Sequence, residues 1–469
     1  MRKLSLDYGE NVKYLDSALR VAESFDLLKK TLVVGDGELT LYFVDGFVKD
    51  TVMQKLMMHF LSVKKLPASA LEFMHTSVPY VECDVTEDAD SMIRAVLSGQ
   101  TLLLGSKFGA AAILIDSRTY PARDTQEPQG DRVMRGARDG FVETLVFNTA
   151  LIRRRIRDTA LTMTYISVGS QSATDVVVCY MKGRADGEYV DALIKRIRGI
   201  RTKSLSMGAQ SLAECLIRRR WYNPFPKIRM TERADFTASQ VLEGGVAIIV
   251  DNSPEVLLLP SSMFDFMQET NDFYFPPLTG TYISLVRYAV FISTLLVTPL
   301  WYLAILYPAS VPEWLAFVLP QNTGRIPIIA QLFLVEFIID ALRLASSNTP
   351  DMLANSLSVV GGLILGDFAV EIGWLIPEVI LYMAFVAIAN FSQRSYELGY
   401  AFKFLRMALL ALTAIFGIWG FAVGLALILV LLATNKTANG KRSYLYPLIP
   451  FDGKALASLV FRVKKKDFY

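Results

Sequence analysis

Asp367 and Glu371 stand four residues apart in "GDFAVEIGW" (366–374), inside a stretch that is otherwise apolar. On a helix that spacing puts both carboxylates on one face. Glu336 and Asp340 repeat the spacing in "VEFIIDALR" (335–343), with Arg343 three residues further on. An ionised group surrounded by lipid is costly, so such residues face a protein interior or a water-filled cavity. Rings of carboxylates lining a cavity attract cations. The chemistry open to these four acids is therefore ion conduction rather than bond-making. For Glu336 and Asp340 a plainer reading stands beside it: a helix at the membrane surface, or acids neutralised by Arg343 and by basic residues of a neighbouring helix. Asp367 and Glu371 have no basic residue in their own segment, which makes local pairing harder.

Little else in the chain suggests catalysis, and no enzyme activity is expected. Among 469 residues there are two histidines, and the three cysteines (Cys83, Cys179, Cys215) are scattered without a CxxC spacing. That pattern supports neither a disulfide framework nor a metal site, and fits a reducing compartment. "GDRVMRGARDG" (130–140) is glycine-rich and basic but matches no phosphate-loop pattern. No cofactor is expected. A net charge of +3 gives no reason to expect nucleic acid as a partner. Arg153, Arg154 and Arg155 in "LIRRRIR" (151–157) read first as a solvated helix end, and second as a contact for anionic headgroups.

These residues must be positioned by two different kinds of structure. Residues 1 to about 280 have ordinary charge density, whereas apolar runs lengthen from Tyr288 onward. In the first part, alternation predicts strands at 39–46, 78–85, 101–106 and 111–117, and helical spacing predicts helices over 11–30, 52–63 and 88–99. After a boundary near 120–132, a helix over 140–156 leads to strands at 161–169 and 175–181. A helix at 189–200 and a strand hairpin over 245–260 follow. No internal repeat is apparent. The fold class expected is an α/β cytosolic region of two subdomains, 1–125 and 126–280. An α-helical polytopic membrane domain (281–435) follows, and then a basic cytoplasmic tail (436–469).

In the second part, "YAVFISTLLVTPLWYLAIL" (288–306) has nineteen residues without a charge, close to the ~20 needed to cross a bilayer. "MALLALTAIFGIWGFAVGLALILVLLAT" (407–434) is the strongest span, and Gly417, Gly420 and Gly424 would let a neighbouring helix approach closely. Segments 326–347, 353–375 and 379–392 are more ambiguous. The basic residues near Arg394, Lys403 and Arg406, and those of the tail, both belong on the cytoplasmic side. An even number of crossings follows, and four are expected.

Four blocks of the sequence resemble a known family. "EPQGDRVMRGARDGFVETLVFNTALIRRRI" (127–156) and "PFPKIRMTERADFTASQVLEGGVAIIVDNSPEVLLLP" (224–260) come from the α/β part, and "GDFAVEIGWLIPEVI" (366–380) and "SYELGYAFKFLRM" (395–407) from the helical part. In this order they are similar to the A subunits of GerA-family spore germinant receptors. The resemblance implies a multi-pass protein of the spore inner membrane whose copies form a ring, such as a pentamer. That ring would be an ion channel, releasing monovalent cations during germination alongside other membrane germination subunits. The alternative expectation is a non-conducting scaffold that organises such proteins.

Overall fold

The computed structural model describes residues 4–118, 136–217, 223–269, 274–321, 324–348, 368–438 and 443–461. They form two compact units: one of residues 1–219 and 228–260, and one of 220–227 and 261–469. The second α/β subdomain thus ends at Pro260 rather than at 280. The 220–227 connector belongs with the helices. The expected subdomain boundary at 120–132 lies outside the described residues.

The first unit opens with α1 (Tyr8–Leu19), capped by the Asp7 carboxylate, which accepts from the Glu10 amide at 2.8 Å. The helix does not continue to residue 30. Arg20 turns out of it with φ 58°, and the chain re-enters as strand β1 (Leu27–Val34). Strands β2 (Gly37–Val44), β3 (Cys83–Thr86), β4 (Thr101–Gly105) and β5 (Ala112–Ile115) complete an antiparallel sheet of order β1-β2-β4-β5-β3. Alternation along the strands fills two cores. Leu39, Leu41, Leu103 and Ile113 pack under α2 (Asp50–Ser62) and α3 (Ala70–Ser77). Tyr42, Val44, Leu102 and Leu104 pack on the other face, under α1 and α4 (Ala89–Leu97).

The second half of this unit has the same element order. Helix α5 (Leu145–Arg155) precedes β6 (Leu161–Val168) and β7 (Thr174–Met181). Then come α6 (Gly187–Arg198), α7 (Ala209–Leu216), β8 (Arg229–Thr231), α8 (Ala234–Leu242), β9 (Val246–Val250) and β10 (Val256–Leu259). Its sheet order is β6-β7-β9-β10-β8, the first order with five added to each strand. The unit is a structural duplication, which corrects the expectation that no repeat exists. The sequence keeps a trace of it. "TEDADSMIRAVLSG" (86–99) and "TERADFTASQVLEG" (231–244) agree at seven of fourteen positions, offset by 145 residues throughout. Both copies end their helix on a left-handed glycine, Gly99 at φ 99° and Gly244 at φ 94°, where a side chain would be strained.

Helix α5 joins the copies, packing Leu145, Leu151 and Ile152 into one core and Ala150 into the other. On the same helix Arg153, 0% exposed, reaches Asp26 of the first copy with two bonds, Nε–Oδ2 at 2.8 Å and Nη2–Oδ1 at 3.1 Å. It also donates to the carbonyls of Asp158 and Leu161. Every face of this buried charge has a partner, as burial requires.

The cysteines are free. Burial raises the Cys179 thiol to about 12 and also raises that of the half-buried Cys83, while Cys215 is exposed. Because the thiolate is the reactive form, maleimide at neutral pH should label Cys215 first and Cys179 only after denaturation. Mass spectrometry of timed aliquots checks this.

The second unit is helical. Helix α9 (Met263–Met267) precedes α10 (Pro277–Leu306), α11 (Ile328–Asn348), α12 (Pro377–Phe391), α13 (Tyr396–Thr434) and α14 (Gly453–Val460). Although α13 has 39 residues, it is not one rod. Gly417 breaks it with φ 58° and ψ −135°. A Cβ on Gly420 would collide with the Leu412 carbonyl oxygen, and one on Gly424 would lie 3.9 Å from the Leu409 Cα. Residues 409 and 424 of a straight helix would be about 22 Å apart. The chain therefore folds back as a hairpin with arms 396–416 and 418–434. The three glycines do permit close approach, but of the helix to itself.

Contacts give the direction of each helix. Helix α10 runs with the first arm of α13: Phe291 meets Phe402 with ring centroids 4.0 Å apart, and at its end the Ile418 amide donates to the Tyr307 hydroxyl at 3.5 Å. Helices α11 and α12 run parallel to each other, with Gln331 accepting from the Ile376 amide at one end and Arg343 near Phe391 at the other. Within the segment expected as a basic tail, Tyr444 is fully buried among Phe225, Phe266 and Phe402. The lysines at 464–466 lie outside the described residues.

Candidate functional site

Helix α11 carries Glu336, Asp340 and Arg343 at spacings of four and three, so they share a face. The first arm of α13 carries Lys403 and Arg406 three apart, and it runs antiparallel to α11. Glu336 consequently accepts from Lys403 at 2.9 Å and from Arg406 at 2.6 Å. Asp340 pairs with Lys403 as well. Arg406 makes one further bond, to the Thr294 carbonyl of α10 at 3.0 Å. Glu336, Lys403 and Arg406 are 6%, 5% and 2% exposed, while Asp340 is open at the rim. Two acids and two bases thus neutralise one another inside the unit. Removing one partner of such a set strands the others, at about 3–5 kcal/mol for a buried pair.

Arg343 is not the partner of either acid. Its guanidinium lies over three rings, 5.0 Å from Phe391, 4.6 Å from Tyr396 and 5.4 Å from Tyr400. The neighbours that neutralise Glu336 and Asp340 are Lys403 and Arg406, which sequence reading groups with the basic residues of the cytoplasmic side. They lie within a helix, with their side chains buried. A signal for the pairing was present: a basic pair at helical spacing inside an apolar run is as costly in lipid as an acidic pair, and each solves the other's problem.

Glu371 closes a short helical turn, Ala369–Glu371, before the left-handed Gly373. It is exposed and has no ion pair among the described residues. Asp367 lies outside the described residues. Of the arginines read as facing solvent or headgroups, Arg153 is buried against Asp26, and Arg155 is paired with both oxygens of Asp139 at 2.6 Å. Arg154 is exposed. For Arg153 both readings give way to a structural one, because its guanidinium is fully enclosed. Among the described residues no cluster of His, Cys, Asp or Glu could hold a metal ion.

A duplicated antiparallel α/β unit is thus joined in sequence to an apolar helical unit in which Glu336, Lys403 and Arg406 are buried. The chain matches the family model described as Bacillus/Clostridium GerA spore germination protein over residues 13–468, and it belongs to that family. It is 36% identical to stage V sporulation protein AF of Bacillus subtilis (strain 168) over 97% of this chain and 92% of that protein. It is 29% identical to the uncharacterized membrane protein YfkQ of the same organism, over 96% and 88%. Among solved structures, the N-terminal domain of the A subunit of the Bacillus megaterium spore germinant receptor GerK3 is similar, with a TM-score of 0.42 and 21% identity. That match covers 55% of this chain and 96% of that one.

Proposed function

We propose that the chain is a subunit of an oligomeric cation channel of the spore inner membrane, acting in germination, with its α/β unit in the cytosol. The observation that carries the reading is the inside-out character of the helical unit. Phe337, Phe416, Trp419 and Leu427 are more than half exposed, while Glu336, Lys403 and Arg406 are buried. Water would select the opposite arrangement; lipid selects this one. Helices α10 and α13 have the apolarity for membrane crossing, and the hairpin divides the second into two arms. The 17-residue second arm is about 25 Å long, near the ~30 Å of a hydrocarbon core.

The helix directions support an even number of traverses. Helix α10 goes out, α11 returns, α12 runs parallel to α11, and the two arms of α13 go out and back. These directions leave Pro277, Arg394 and Lys436 at one end, in keeping with the positive-inside rule.

Within this frame Glu336 and Asp340 set helix spacing, because their charge is already compensated. Attraction of monovalent cations falls to Glu371, repeated around the axis of a ring of copies, and to Asp367 four residues before it. The internal compensation of Glu336 and Asp340 also favours a second reading, a non-conducting scaffold that gathers other germination proteins. Potassium efflux from liposomes holding the purified full chain decides between them. Efflux that falls several-fold in Glu371→Gln is the result expected of the channel. Inserted oligomers that pass no ions and still capture membrane partners would establish the scaffold instead.

A further inference from the structure

A narrow cleft opens between α11, α12 and the first arm of α13. Its wall includes Asp340, Arg343, Asn390, Tyr400 and Lys403. The ion cluster behind the wall already uses both acids: Glu336 and Asp340 are paired with Lys403 and Arg406, so Arg343 is a third positive charge beside two negative ones. The surplus sits on Arg343, which has no ion pair among the described residues; aromatic rings cover its guanidinium instead. Rings stabilise the cation but accept none of the in-plane N–H bonds that suit an oxyanion. Beside it the Asn390 Oδ1 is buried and has no hydrogen-bond partner, an acceptor waiting for a hydroxyl. The helices that wall it also carry exposed apolar side chains: Phe337 and Leu344 of α11 and Ile388 of α12 are 71%, 63% and 70% exposed.

We propose that this cleft seats the headgroup of one anionic phospholipid per chain. Arg343 donates to the phosphodiester, and Asn390 accepts from a headgroup hydroxyl. The acyl chains run over Phe337, Leu344 and Ile388. The single surplus charge matches a lipid of charge −1 and disfavours a zwitterionic one. The inference rests on the membrane reading above, which has its own independent check: the full chain should float with neutral phosphatidylcholine vesicles and resist carbonate extraction, whatever stands at 343.

Native mass spectrometry of the delipidated full chain, supplied with phosphatidylglycerol or phosphatidylcholine, tests the site. One phosphatidylglycerol should be retained per chain, with at least a tenfold preference over phosphatidylcholine. Arg343→Gln should abolish the preference, and Arg343→Lys, which keeps the charge but not the fork, should leave part of it. Asp340→Asn, which frees Lys403 from one acid, should strengthen retention, a direction that mere damage to the fold would not produce. Equal retention by Arg343→Gln and the wild type, or no preference between the two lipids, overturns the proposal. Displacement of the lipid by millimolar glycerol phosphate would assign the cleft to a free anion and overturn the lipid assignment as well.

Discussion

Replacing Asp26 with alanine should destabilise the α/β unit by about 3–5 kcal/mol, a large part of an ordinary domain's stability. The reason is asymmetry. Arg153 is fully enclosed, and Asp26 supplies the only carboxylate bonded to it among the described residues. Removing that carboxylate leaves a cation with carbonyls and the Ser24 hydroxyl around it, but no counter-charge. Water reaches it only by parting the two copies of the repeat, because Asp26 lies in the first and Arg153 in the second. The double variant Asp26→Ala with Arg153→Met removes the stranded charge and should recover most of the loss. Hydrogen exchange in the full chain is the check: protection of β1, β2 and β6 should fall in the single variant and return in the double. Equal protection in all three proteins would show that the joint does not depend on this pair.

The second large effect concerns the hairpin. Gly420→Val should prevent the helical unit from assembling, because the added Cβ meets the Leu412 backbone carbonyl rather than a side chain that could turn aside. Monodisperse yield in detergent reads this loss. A companion test asks for the hairpin directly. Cysteines placed by Leu409→Cys and Gly424→Cys, with Cys215→Ser to remove the exposed thiol, should form an intramolecular disulfide on mild oxidation. A Cβ at 424 lies 3.9 Å from the Leu409 Cα, near enough for a disulfide, which needs Cα atoms no more than ~6.8 Å apart, whereas a straight helix would hold the pair about 22 Å apart. Failure to cross-link in a protein that is folded by other measures would mean one continuous span.

Much of the α/β unit was legible because its two periods are clean. The alternation of "LTLYFV" and the helical spacing of "DADSMIRAVL" each lead to the element found. Strand β1 was not legible, since "FDLLKKTLVV" prolongs an apolar spacing compatible with α1, and only the left-handed turn at Arg20 separates them. The duplication was visible as "TEDAD" and "TERAD", but the copies agree little elsewhere, so topology reveals it where composition does not. The hairpin escaped for a physical reason. A turn in water advertises itself with polar and proline residues, while "AIFGIWGFA" (414–422) shows only glycine in an apolar run.

The acid sites were half legible. Sequence spacing identifies residues that share a helix face, so the grouping of Glu336 with Asp340 could be read directly. Which face they meet depends on how helices some 60 residues apart in sequence pair, and that requires their directions. Once α11 and the first arm of α13 are known to be antiparallel, Lys403 and Arg406 fall opposite the acids. Arg343 then falls opposite Tyr396 and Tyr400.

Conduction is examined most directly by the reversal potential of the full chain in a planar bilayer under a tenfold potassium chloride gradient. A potential of the sign set by potassium, moved toward zero by Glu371→Gln and unmoved by Arg154→Gln, is the expected result. An anion-selective current, or the wild-type potential retained by the Glu371 variant, would contradict it.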